Sequence, residues 1–291
     1  MKAPAARNVP ALLQALREEE FTGTVRVSGS PGGTIHLRSG LVGAIETPGA
    51  PTATSALLTT GRVDDEAWLT ACATEPDADR LGAHLVTAGL IGAAELEIVC
   101  TAAIHDGAFA MSLGAAGGWD TGDREPTLVA VPGVEPKDLT DEVTRRVGLL
   151  GRPGATAGEL ARSRPEVVGE SGQGDAATLG GRRGGPWGPP RLQELLGAVN
   201  GRRTPRDLAF ALGRGLYAVM LDLDRLEAQG LIRWEVRTAP GHRPSTAPRV
   251  VPGNATAQGS APAAGPLPRR RPGSGRPLGP GGGERGEKGG R

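Results

Sequence analysis

Phe21-Thr22-Gly23-Thr24-Val25-Arg26-Val27, followed by Thr34-Ile35-His36-Leu37-Arg38-Ser39-Gly40-Leu41-Val42-Gly43-Ala44, is the stretch that decides the fold. Thr24 to Val27 is rich in β-branched residues and ends at the turn between Gly29 and Gly33. Thr34 to Arg38 alternates, with Ile35 and Leu37 on one face. Ser39-Gly40 makes the next turn, and Leu41 to Glu46 forms a third run. Short alternating runs joined by glycine turns predict an antiparallel meander. Just ahead of it, Val9 to Glu20 has helical periodicity: Leu12, Leu13 and Leu16 share a face, and Glu18 to Glu20 point to water.

Beyond the meander the period changes from two to 3.6. Thr52 to Thr60 predicts a helix stopped at Gly61. Asp64-Asp65-Glu66 places acids where a helix N-terminus favours them, and Trp68, Leu69 and Cys72 continue that helix. A faint repeat follows. Thr59-Thr60-Gly61-Arg62-Val63 matches Thr87-Ala88-Gly89-Leu90-Ile91 at an offset of 28 residues, with Trp68 and Cys72 matching Leu96 and Cys100. Two copies indicate a recurring helix–turn–helix joint rather than a solenoid. Ala93 to Leu113 is long, apolar and helical. Trp119 and the run Leu128 to Val131 predict a strand or extended segment. Leu139 to Leu150 is helical again, with Thr140 as its expected cap and Arg145 and Arg146 near its end.

Residues 151–189 lose periodicity and predict a flexible linker of Gly, Pro, Ser and Arg. Order returns at residues 190–237. Leu192, Leu195, Leu196 and Val199 mark one helical face. Thr204-Pro205-Arg206-Asp207 is a clear helix start, with Thr as cap, Pro at the first position and Asp reaching back. Gly213-Arg214-Gly215 turns the chain into a third helix with Leu216, Val219, Met220, Leu223 and Leu226 inside. Leu231 to Arg237 then alternates as a strand. Three short helices and a strand follow the order of a winged helix-turn-helix. Residues 238–291 hold 9 basic and 2 acidic side chains among Pro, Gly and Ala, and predict a disordered tail. The expected architecture is therefore α+β: a meander packed with helices over residues 8–150, and a winged-helix-like domain over residues 190–237.

The near-neutral total hides an asymmetry. Residues 1–150 carry a balance of −9 and residues 151–291 a balance of +10, which suggests different partners for the two halves. Two cysteines are too few for a disulfide framework or a cysteine-based zinc site. No signal-peptide pattern and no apolar span are visible, so the expectation is a cytoplasmic protein that makes no membrane contact. Neither a Walker loop nor a Gly-x-Ser-x-Gly elbow is present. His36, His84, His105 and His242 do not form a spaced constellation. No catalytic, cofactor-binding or metal-binding residue is assigned, and the chain reads as non-enzymatic.

The residues quoted at the outset, with Leu81-Gly82-Ala83-His84-Leu85-Val86 and Gly89-Leu90-Ile91, resemble the signature of PATAN-type domains. That signature is a Gly-led strand, then a strand ending in a Gly turn and an aliphatic strand closing on Ala. The resemblance spans roughly residues 9–150. It implies a bacterial signalling role through protein interaction, with no catalytic residue to carry over. Asn200 to Ala209 and Leu226 to Ile232 resemble the winged helix fused to such domains.

DNA binding needs cations aimed at phosphates and polar side chains aimed at base edges. Arg202, Arg203, Arg206, Arg214, Arg233 and Arg237 are the candidate phosphate contacts. The third helix supplies Asp222 and Asp224, read as outward-facing acids that would repel a polyanion. Tyr217 and Leu221, also read as outward, are candidate dimer or partner contacts. Two readings stay open. One is a transcriptional regulator that binds duplex DNA, as a homodimer, and receives a signal or protein partner through residues 8–150. The other is an adaptor whose winged helix serves protein interaction or dimerisation.

Overall fold

The Asn8 side chain accepts a hydrogen bond from the Ala11 N–H at 2.9 Å and starts helix α1 (Val9–Glu18), whose Leu12, Leu13 and Leu16 are buried. Burying each such leucine contributes about 2 kcal/mol. The computed structural model describes residues 7–151, 154–168 and 189–234. The linker residues 169–188, Arg237 and the whole tail 238–291 lie outside the described residues.

The three predicted runs form β1 (Gly23–Gly29), β2 (Gly33–Arg38) and β3 (Leu41–Glu46) as an antiparallel meander. Val25 sits opposite Ile35, and Ile35 opposite Ile45, so one face carries a continuous aliphatic row. A fourth strand, β4 (Ala116–Gly122), joins on the far side of β1, giving the order β3-β2-β1-β4. Trp119 therefore lies in a strand, opposite Val27. Leu128 to Val131, by contrast, is no strand. It belongs to an extended strap along the outer edge of β3, where the Ala130 N–H donates to the Gly43 carbonyl at 2.8 Å. Val42 and Val134 exchange two backbone bonds of 2.9 Å further along the same edge.

Helices α2 (Ala53–Thr59), α3 (Asp65–Thr74), α4 (Ala78–Thr87) and α5 (Ala93–Ser112) follow the meander. The repeat at offset 28 is a real joint. Gly61 and Gly89 end α2 and α4 at φ +66° and +71°. Each is followed by a 3.0 Å bond that returns to the helix, Arg62 N–H to Leu57 and Leu90 N–H to Leu85. A left-handed residue after the last turn is what glycine permits without strain.

Helix α6 (Pro136–Leu150) begins one turn earlier than expected, and Thr140 is not its cap. Instead the Thr140 hydroxyl donates to the Pro136 carbonyl at 2.8 Å, inside the helix. Residues read as linker also hold structure: α7 (Ala157–Arg162) carries a capping box between Thr156 and Glu159, and β5 (Pro165–Val167) is a short strand. The C-terminal helices are α8 (Pro190–Ala198), α9 (Pro205–Leu212) and α10 (Leu216–Ala228). Thr204 and Asp207 form the expected capping box, and Gly213 turns the chain at φ +57°. Strand β6 (Ile232–Trp234) pairs antiparallel with β5.

Two apolar clusters result. The first joins α1, one face of the meander and helices α2 to α5; the second joins α7 to α10 with Ala50, Phe109, Ala110 and Leu150. Helix α5 contributes to both. Leu96, Cys100 and Ile104 enter the first cluster, while Phe109 and Ala110 enter the second. Among the described residues no helix is long and apolar enough to cross a membrane.

Candidate functional site

The second half of α5 carries one acid on a buried face. Asp106 is buried and accepts from the Arg146 guanidinium of α6 at 3.0 Å and from the Tyr217 N–H of α10 at 3.3 Å. Gly215, the residue before α10, offers no side-chain cap of its own. A Cβ placed there would lie 1.7 Å from Asp106 Oδ2, so any other residue would force the carboxylate to move. Asp106 thus stands at the positive end of α10, where the first N–H groups need an acceptor. Burial pushes the Asp106 carboxyl above its ordinary value, against the opposing pull of Arg146 and the Tyr217 N–H.

Tyr217 completes the junction. Its ring meets Phe109 edge-on at 5.4 Å between centroids, and the Arg146 guanidinium lies over it, 4.7 Å from its centroid. Arg146 also donates to Glu142 at 2.8 Å, so it bridges a buried carboxylate and a solvent-side one. The Arg145 and Arg146 bonds hold the Glu142 carboxyl down at about 2. Tyr217 was expected to face a partner, but the ring is engaged within the chain. Leu221 is half-buried and packs on the same second cluster.

Asp222 also departs from expectation. It is buried rather than outward, with a side chain 3 % exposed. It accepts from Arg214, and from Arg225 at 2.7 Å, with Arg191 at 3.6 Å. Its place on the helix explains this: it lies three residues after Val219 and four before Leu226, both buried. Arg214, a candidate phosphate contact, is thereby directed inward, and it also donates to the Arg191 carbonyl at 3.2 Å. Arg233 lies across from Glu166 of β5, with a bond of 2.9 Å. Arg202 and Arg203 are exposed, with their backbone N–H groups held by the Asn200 side chain at 3.0 and 3.1 Å. Arg206 is exposed on the first turn of α9, 5.8 Å from the Phe210 centroid. Of the six predicted arginines, then, three share one exposed corner, two are tied to carboxylates, and Arg237 lies outside the described residues.

No family model, curated protein or solved structure matches the chain. The likeness to PATAN-type domains therefore rests on the quoted residues alone.

Two further features bear on chemistry. A cavity of about 370 Å³ lies between α1, the sheet and α6, walled by Leu13, Val27, Ile35, Met111, Trp119 and Leu139. It offers apolar contact and no cluster of acid, base and nucleophile. Cys100 is buried, which pushes its thiol up to about 11, so it stays protonated and unreactive at neutral pH. Among the described residues no group of three or more His, Cys, Asp or Glu side chains is placed to hold a metal ion. Sequence reasoning missed Asp106 and Arg146. The one available signal was an acid in the apolar second half of a twenty-residue helix, between Ile104 and Phe109.

Proposed function

We propose that this chain is a non-enzymatic regulatory adaptor. In this reading residues 8–150 act as a PATAN-like interaction domain. The helix-turn-helix-like module is docked against them through α9 and α10 rather than presented to DNA. One observation carries this. The first turn of α10, which a winged helix would offer to base edges, is engaged by Asp106, Arg146 and Phe109. A helix held there cannot enter a major groove without breaking those contacts.

A second reading, a DNA-binding transcriptional regulator, is favoured by Arg202, Arg203 and Arg206. They form an exposed basic corner before and at the start of α9. Titration of the full-length chain into labelled duplex DNA over a salt series separates the two. The adaptor reading expects only the weak, sequence-independent binding typical of a basic patch, on the order of 10⁻⁴ to 10⁻⁶ M. Nanomolar binding to any duplex, abolished by Arg202→Ala/Arg203→Ala/Arg206→Ala, would overturn it in favour of the regulator.

A further inference from the structure

A pocket of about 310 Å³ opens where the β1–β2 turn meets α7 and α9. Its lining includes Gly29, Gly32, Gly49 and Gly158, with Leu113 and Leu216 as its bulkier apolar members. Two cationic side chains reach it, Arg162 from the end of α7 and Arg206 from the first turn of α9, and no carboxylate lines it. Both arginines are exposed. The acids that share their helices attract these arginines, Glu159 toward Arg162 and Asp207 toward Arg206, but spend their hydrogen bonds in the capping boxes with Thr156 and Thr204. The contrast with Arg146 and Arg214, each bonded to a buried carboxylate, is plain. Ser30 also lines it.

We propose that this pocket binds a small phosphate monoester, such as a sugar phosphate or a nucleoside monophosphate, with Arg162 and Arg206 gripping the phosphate from two helices. Guanidinium groups match phosphate oxygens through paired, charge-assisted hydrogen bonds. The volume is in the range of small-molecule sites and too small for a duplex or a folded partner. The pocket spans the turn of the sheet layer and two helices beyond it. Ligand in it would therefore add contacts between the two layers and raise the stability of their docking in proportion to occupancy. The proposal uses Arg206 but is independent of whether the chain binds DNA.

The test is calorimetric titration of the full-length chain with inorganic phosphate, ribose 5-phosphate and adenosine 5′-monophosphate, with ribose and adenosine as uncharged controls. Binding of at least one phosphate ester, weakened by salt and absent for the uncharged controls, is expected. Arg162→Ala and Arg206→Ala should each lower the affinity about tenfold or more. Ala161→Leu, which fills the pocket while leaving every cation in place, should abolish binding. Arg202→Ala/Arg203→Ala removes more charge from the neighbouring surface outside the pocket and should change the affinity less than twofold. A circular dichroism spectrum for each variant checks that the fold is kept. No binding of any ester at millimolar concentration overturns the proposal. So does binding that survives both single arginine substitutions, or that falls equally with Arg202→Ala/Arg203→Ala. In that last outcome a diffuse basic surface accounts for the attraction.

Discussion

The two buried aspartates of the second apolar cluster, Asp222 and Asp106, do different work with the same chemistry. Asp222 gathers Arg191, Arg214 and Arg225, all from the C-terminal helices or the turn beside them. It closes the C-terminal helices on themselves. Asp106 sits on α5 and takes its partners from two other places, Arg146 of α6 and the Tyr217 N–H of α10. It joins the C-terminal helices to the layer around the sheet. A buried carboxylate is costly alone and is retained where its partners are complete. One such group here stabilises a unit, and the other fixes how two units meet.

That contrast can be broken from either side. Asp222→Ala should have the largest effect, a loss of roughly 3 kcal/mol in urea unfolding, because three guanidiniums lose their common counter-charge, two of them a hydrogen-bond acceptor, and Arg214 is left enclosed. The figure is at the low end for a buried pair, since Arg191 and Arg225 still reach water. Trp234, packed on the same cluster, gives a fluorescence readout. A loss under about 1 kcal/mol would mean that the three arginines hold Asp222 only weakly. Tyr217→Ala should cost about 2 kcal/mol, from a half-buried ring that touches Phe109 and Arg146. Its effect should differ in kind. Hydrogen exchange in the first turn of α10 should rise while amides of the meander stay protected. Uniform loosening across both layers would show that the junction is not a separable contact.

The two aspartates also mark where sequence reading stops. The meander was legible because its glycine turns and its aliphatic alternation are local. The start of α9 was legible because Thr204, Pro205 and Asp207 act within four residues. Strand β4 was only partly so: Ala116 to Gly122 is glycine-rich and lacks alternation, and its pairing with β1 spans about ninety residues of chain. Helix α7 carries the same capping signal as α9, Thr156 with Glu159, but six residues between prolines and glycines read as linker. Asp222 was misread as outward because an acid on a helix is solvated by default. Its spacing from Val219 and Leu226 put it on the core side, and only the arrival of arginines from α8 and the Gly213–Gly215 turn makes that tolerable. The role of Asp106 depends on α6 and α10, which no local pattern connects.

Capping within a unit should matter less than either aspartate. Thr204→Ala removes the hydroxyl that accepts from the Asp207 N–H at 3.3 Å, and half of the reciprocal box with it. A loss of about 1 kcal/mol is expected, most of it restored by Thr204→Ser. Failure of the serine to restore stability would show that the threonine methyl, not the cap, is what counts.

The smallest effect is the most diagnostic of the junction, because Arg146 is shared by two carboxylates with opposite environments. Glu142, at the solvent side, is held at about 2 by Arg145 and Arg146, below its ordinary 4.5. Its contribution is therefore present above about pH 4.5 and is lost as pH falls toward 2. Solvent screening keeps that contribution to about 0.5 kcal/mol, so the stability gap between the native chain and Glu142→Gln should be small at pH 7 and should close on acidification. Asp106 has the opposite sign. Burial raises its value, so the folded chain binds that proton more tightly than the unfolded one, and the contribution of Asp106 falls as pH rises through the raised value. Relative to Asp106→Asn, the native chain should thus gain on acidification, while relative to Glu142→Gln it loses. Urea midpoints for the three proteins from pH 7 downward decide the matter. Two gaps moving in the same direction would mean that Arg146 serves only one of the carboxylates, and that the junction rests on the Tyr217 ring and the Asp106 cap alone.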